Sequence, residues 1–205
     1  MDSFIQLEGI VAPLPRVNVD TDQIIPKQFL KRVEREGFGD FLFFDWRLSA
    51  DGSLNPDFPL NKPAYRNASI LITGHNFGSG SSREHAVWSL KDFGFRCIIS
   101  SSFADIFYNN CFQNGILPIV LPEPNVKHIM AKTLESPGYT IKVDLKVQQV
   151  IDVDDEEIYP FEIEPFRRHC LINGLDDVAL TMQHKDKISS FEDIRGPYGG
   201  VLNDI

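Results

Sequence analysis

Residues 76–86 read Asn-Phe-Gly-Ser-Gly-Ser-Ser-Arg-Glu-His-Ala and bring two glycines, three serines, an arginine and a histidine into one short stretch. If a helix starts here, its first backbone N–H groups lack partners and carry a partial positive charge, which suits a carboxylate or phosphate. Gly78 and Gly80 allow close backbone approach and positive φ angles. Arg83 offers a two-pronged grip on a carboxylate. As a cation in a first helical turn it opposes the helix dipole, so it needs an anion beside it. The same residues also read as a plain glycine-rich turn capped by a serine, with Arg83 solvated or paired to Glu84. The nucleotide-binding patterns do not fit either way. No lysine follows the glycines, and Arg83 stands where G-x-G-x-x-G requires its last glycine.

The surrounding pattern predicts the elements that hold this stretch. Ser69 to Thr73 is a short apolar run and reads as a buried strand. Ala86, Val87, Leu90 and Phe93 recur at helical spacing, and Gly94 stands where the helix should stop. Ser81 and Glu84 match a capping box, which predicts a helix start near Ser82. Cys97 to Ile99 is the next strand, so the unit closes as a parallel crossover. A second unit follows. Ser102 to Asp105 opens a helix with Phe103, Ile106, Phe107 and Cys111 on one face, Gly115 ends it, and Ile116 to Leu121 is a strand. Asn125 to Ser136 reads as a further helix.

Toward the N-terminus, Phe4 to Val11 reads as a strand ended by Pro13 and Pro15. Asn18 to Pro26 is a polar turn of the kind that Asp and Thr side chains close locally. Phe29 to Arg35 is a short helix or mobile loop. Residues 37–46 are densely aromatic, which suits a core and also a surface that pairs with another protein. Residues 50–67 read as an irregular loop. Residues 139–152 and 158–164 alternate in the manner of strands around an acidic turn, Asp152 to Glu157. Helix returns between Pro165 and Phe191. The Gly/Pro-rich end, about residues 196–205, is expected to be a mobile tail. The pattern is that of one α/β domain over residues 1–205.

Composition limits the function classes. With 205 residues, 42% of them hydrophobic, the chain can bury a full core. A net charge of −9 without a basic stripe argues against binding nucleic acid or an anionic membrane. No run approaches membrane-spanning length. Cys97, Cys111 and Cys170 are scattered and odd in number, which points to a reducing cytoplasm. The five histidines lack metal-ligand spacing, so no metal site is expected in this chain.

Three blocks together carry a family resemblance: residues 19–26 (Val-Asp-Thr-Asp-Gln-Ile-Ile-Pro), residues 76–86, and residues 99–103 (Ile-Ser-Ser-Ser-Phe). Tyr108 to Asn110, Asn114 to Pro118 and Leu171 to Asp177 add to it. The chain resembles the swivelling domain of the aconitase superfamily and, within it, the small-subunit family of bacterial 3-isopropylmalate dehydratases. The resemblance implies a single swivelling β/β/α domain, with βαβ units around a mainly parallel core sheet. It implies a hydro-lyase of leucine biosynthesis that loses and regains water on a small dicarboxylate. It also implies a heterodimer whose large partner holds a four-iron four-sulfur cluster, this chain binding no cofactor itself. Carried over by position, Ser81 matches the catalytic base, and Ser82 and Arg83 match residues that bind substrate carboxylate. Thr21 and Asp22 match a segment lining the cleft. Leu30, Lys31 and Arg32 fall in a loop that selects the substrate side chain. Related dehydratases acting on homoaconitate, citraconate or methylmalate are the nearest alternative. A stand-alone anion-binding module is a more distant one.

Overall fold

The computed structural model describes residues 1–31 and 37–195. Strand β1 (Gln6–Leu14) organises the sheet, because its two halves have different neighbours. Gln6 to Ile10 pair antiparallel with β5 (Thr140–Asp144), whereas Val11 to Leu14 pair parallel with β2 (Ile70–Thr73). β3 (Cys97–Ser100) and β4 (Leu117–Val120) continue the parallel half. β6 (Gln149–Asp152) and β7 (Ile158–Pro160) continue the antiparallel half. The result is one seven-stranded sheet in the order β4-β3-β2-β1-β5-β6-β7.

β1 runs through Pro13 rather than ending before it. Pro13 is in register with Ile72 of β2, while the β5 ladder has already stopped at Ile10. The missing N–H therefore costs no ladder bond on the open side.

The parallel strands bury both faces, which is why they read as unbroken apolar runs. Ala12, Leu14, Leu71 and Ile98 face one core, with Ala86, Val87 and Leu90 of helix α3 (Glu84–Phe93). The helices before it are single turns, α1 (Thr21–Ile24) and α2 (Phe44–Arg47). Val11, Ile70, Ile72, Cys97 and Ile99 face the other core, with Val126 and Ile129 of helix α5 (Glu123–Glu135). Between these helices lies α4 (Asp105–Asn114); α6 (Pro165–Asn173), α7 (Asp177–Met182) and α8 (Lys185–Arg195) are the last elements among the described residues.

Several expectations are corrected. α3 begins at Glu84, not near Ser82, and its N-cap is Arg83. Ile106 is half exposed, because Phe107, Cys111 and Phe112 form the buried face of α4. The alternating residues 139–152 hold two strands joined by a tight turn. Phe38, Leu42 and Phe43 of the aromatic stretch are core residues. Residues 27–31 form a 3₁₀ turn. The rest of the selecting loop, Arg32 included, and the expected tail at 196–205 lie outside the described residues.

Candidate active site

β1, β2 and β3 run in one direction, so the segments that leave Leu14, Thr73 and Ser100 emerge at a common end of the sheet. In open α/β sheets that carboxyl end is where ligands bind. The first segment carries Thr21 and Asp22, the second carries Ser81 to Arg83, and the third supports the second.

Backbone bonds staple the first two segments together. The amides of Gly78 and Ser79 both donate to the Val19 carbonyl (2.8 and 3.1 Å), and the Thr21 amide donates to the Ser79 carbonyl at 2.9 Å. The Thr21 hydroxyl donates to the Ser81 carbonyl at 3.1 Å. Support from the third segment comes through Ser102, whose hydroxyl accepts the Asn76 amide at 2.8 Å and whose carbonyl accepts the Phe77 amide at 3.2 Å.

The glycines do what the sequence requires of them. Gly78 and Gly80 have φ of +78° and +90°. A side chain at Gly78 would also run into the Phe107 ring. No other residue type fits that close approach without moving α4.

Asp20 caps α1 through a complete capping box. Its carboxylate accepts the Gln23 amide at 2.8 Å, and the Gln23 side chain accepts the Asp20 amide at 2.9 Å. The polar turn expected over residues 18–26 is thus a capped helical turn, and it fixes the direction of Asp22. One Asp22 oxygen accepts from Arg83 Nη1, and the other lies 3.4 Å from Lys27 Nζ. Partial burial favours the neutral acid at Asp22. The bond and charge of Arg83, helped by Lys27, outweigh it and hold the carboxyl below its ordinary range.

Ser81 and Ser82 are exposed. The Ser81–Glu84 capping box does not form. Glu84 instead accepts from the Asn114 side chain at 2.9 Å, and the Asn114 oxygen accepts the Trp88 indole N–H at 2.9 Å. Ser81 makes its contacts through its carbonyl, which accepts the Thr21 hydroxyl and the Arg83 amide. His85 packs its ring against Phe38 and Trp88, and burial lowers its affinity for a proton. It is a packing residue of the site's wall.

The structure therefore brings Thr21, Asp22, Ser81, Ser82 and Arg83 together. Leu30 is partly buried against the core that contains Ile24 and Ile25, and Lys31 is exposed beside it. Lys27 was not singled out by sequence reasoning. The available signal was a cation directly after the apolar Ile24-Ile25-Pro26.

The arrangement offers an exposed hydroxyl, an arginine and a helix start on one surface. The chain as a whole is similar to known proteins. Residues 1–124 match the family model of the aconitase C-terminal domain. Residues 127–165 match a model described as LeuD_N, and residues 177–195 match that of the C-terminal domain of the 3-isopropylmalate dehydratase small subunit. A 3-isopropylmalate dehydratase small subunit of Brevibacillus brevis is 55% identical over 94% of this chain and 98% of its own length. One from Parvibaculum lavamentivorans is 57% identical over 94% of this chain and 95% of its own.

The chain belongs to the 3-isopropylmalate dehydratase small-subunit family.

Membership makes it one component of a hydro-lyase, and a small subunit implies a large one. The fold agrees. The crystal structure of a 3-isopropylmalate dehydratase from Methanocaldococcus jannaschii matches with a TM-score of 0.68, covering 91% of this chain and 99% of that one at 24% identity. At that identity the likeness speaks for the fold of the small-subunit family and no more.

Among the described residues, no group of three or more His, Cys, Asp or Glu side chains is placed to hold a metal ion. Cys97, Cys111 and Cys170 are buried, and burial pushes each thiol above its ordinary range. They do not fit the thiolate ligands of an iron–sulfur cluster. Among the described residues, no helix is long and apolar enough to cross a membrane.

Proposed function

We propose that this chain, as the small half of a one-to-one complex, isomerises 2-isopropylmalate to 3-isopropylmalate through isopropylmaleate, a step of leucine biosynthesis in the cytoplasm. The observation that carries this reading is the meeting of exposed Ser81 and Ser82 with Arg83, Thr21 and Asp22 at the carboxyl end of the parallel strands.

The reaction moves a proton from a carbon next to a carboxylate. In this reading Ser81 Oγ takes and returns that proton. A serine hydroxyl is a weak acid, so its charged form needs hydrogen-bond donors and positive charge. In this reading those are drawn from the positive end of α3, which starts three residues on, and from the Arg83 guanidinium, once the substrate-bound complex closes around the Ser81 hydroxyl. Ser82 and the unengaged N–H groups of Arg83 bind a substrate carboxylate. Thr21 fixes the Ser81 backbone, and Asp22 fixes Arg83. The loop residues Leu30, Lys31 and Arg32 meet the isopropyl group and the second carboxylate. The cysteines here do not fit an iron–sulfur cluster, so the four-iron four-sulfur Lewis acid implied by the resemblance is assigned to the large subunit.

The test is reconstitution. The purified chain alone should be colourless and inactive on 2-isopropylmalate. Addition of an isopropylmalate-type large subunit should give turnover, followed by the ultraviolet absorbance of isopropylmaleate. Faster turnover of homoaconitate, citraconate or methylmalate would overturn the substrate assignment. No activity with any large subunit, together with tight phosphate or nucleotide binding by this chain, would favour a plain anion-binding module.

A further inference from the structure

Asp22 is shared by two cations, Arg83 and Lys27. Its Oδ1 accepts from Arg83, and its Oδ2 faces Lys27 Nζ at 3.4 Å. The three side chains differ in exposure: Arg83 15%, Asp22 41% and Lys27 72%. The backbone under them is fixed. α1 is capped by Asp20 and stapled to Ser79, while Ile24, Ile25 and Pro26, immediately before Lys27, are buried.

The charge balance of the group makes Lys27 matter. A guanidinium paired one-to-one with a carboxylate is a neutral unit and attracts an acidic substrate weakly. A carboxylate is an acceptor only, so Asp22 would repel a second carboxylate brought to Arg83. With Lys27 included, two positive charges face one negative charge, and the group carries a net +1. The exposed, flexible ammonium can stay on Asp22 while Arg83 turns its free N–H groups to a ligand.

We infer that Lys27 is a positioning residue of the carboxylate clamp: by neutralising Asp22 it frees the charge of Arg83 for the substrate. Lys27 does not touch the substrate in this arrangement; it acts through Asp22. The inference rests on the function proposed above, and the wild-type complex turning over 2-isopropylmalate establishes that reading separately.

The experiment is a double-mutant cycle in the reconstituted complex, with Lys27→Gln, Lys27→Arg, Asp22→Asn and the Lys27→Gln/Asp22→Asn pair. Lys27→Gln should raise KM about three- to fivefold, the upper part of the range for a largely exposed ion pair, and leave kcat within about twofold. Lys27→Arg should restore most of the affinity. In the Asp22→Asn background the same Lys27→Gln change should move KM by less than about twofold, because the anion it offsets is gone. An unchanged KM in Lys27→Gln would overturn the inference. So would an equal rise in both backgrounds, which would mean that Lys27 meets the substrate itself, or failure of Lys27→Arg to rescue. Should Asp22→Asn assemble without turnover, the calorimetric affinity of the four complexes for 2-isopropylmalate makes the same comparison.

Discussion

Ser81 stands two residues ahead of the true N-cap of α3, and this displacement decides what its hydroxyl is free to do. A serine serving as cap spends its oxygen on a helix amide. Here the carbonyl of Ser81 makes the structural contacts, and the exposed side chain is left for chemistry. In the reconstituted complex Ser81→Ala should therefore lower kcat by about 10²- to 10⁴-fold, the range of a general base, with assembly and circular dichroism unchanged. Retention of more than about a tenth of wild-type turnover would remove Ser81 from the role of base. At this scale the sequence made the residue types plain: a glycine turn, a hydroxyl and an arginine. It misplaced the cap because Ser-x-x-Glu is a local pattern, whereas Glu84 is claimed by Asn114, 30 residues away. Lys27 escaped notice for a similar reason, since its link to Asp22 runs across a helix end where no regular spacing applies.

The element that positions Asp22 is a single turn, and an isolated turn does not persist in water. α1 persists because Asp20 and Gln23 cap each other and because Ser79 accepts the Thr21 amide. Asp20→Ala should cost about 1 kcal/mol, the usual value of a cap. In a chain of this size that lowers the melting temperature by about 2–4 °C. It should also raise KM in the complex, since Thr21 and Asp22 lose their direction; calorimetry and steady-state rates measure the two effects. Legibility of the other elements followed from burial. β2, β3 and β4 were evident because strands covered on both faces are apolar throughout. The turn between β5 and β6 leaves no mark in the alternating pattern of residues 139–152, because it contains no glycine, proline or asparagine. Gln148 takes the left-handed conformation, φ +57°, and Asp144 closes the turn by accepting the amides of Lys146 (2.8 Å) and Val147 (3.1 Å). A side-chain closure of that kind leaves little compositional mark.

Across the whole molecule, the two halves of the sheet are secured differently, and acid should separate them. The parallel half is held between two apolar layers. The antiparallel half depends in addition on two carboxylates. Asp144 joins β1 to β5 through Gln6, and Asp152, fully buried, joins β6 to α5 through Lys132 Nζ at 2.5 Å. Burial raises the proton affinity of both. The hydrogen bonds outweigh it: Lys132 and the amides of Asp154 and Asp155 at Asp152, and the amides of Val147 and Lys146 with Gln6 at Asp144. Both carboxyls sit below their ordinary range in the folded state. A carboxyl depressed in the fold contributes stability that is complete above its unfolded pKa, near 4, and is lost as pH falls through the lower folded value. Stability should accordingly stay level from neutral pH to about pH 5 and decline below about pH 4. The decline should start at one end of the sheet. Hydrogen exchange near pH 3 should show β5, β6 and β7 losing protection before β2 and β3. Lys132→Met leaves Asp152 buried without its cation and should cost about 2–3 kcal/mol at neutral pH, the lower part of the range for a broken buried pair because Lys132 itself is partly solvated. Because Asp152 then gains less from ionisation, keeping only the amides of Asp154 and Asp155, the same variant should show a shallower loss between pH 5 and 3. Uniform loss of protection across all seven strands would mean that the sheet unfolds as one unit and that these carboxylates do not set its weakest point.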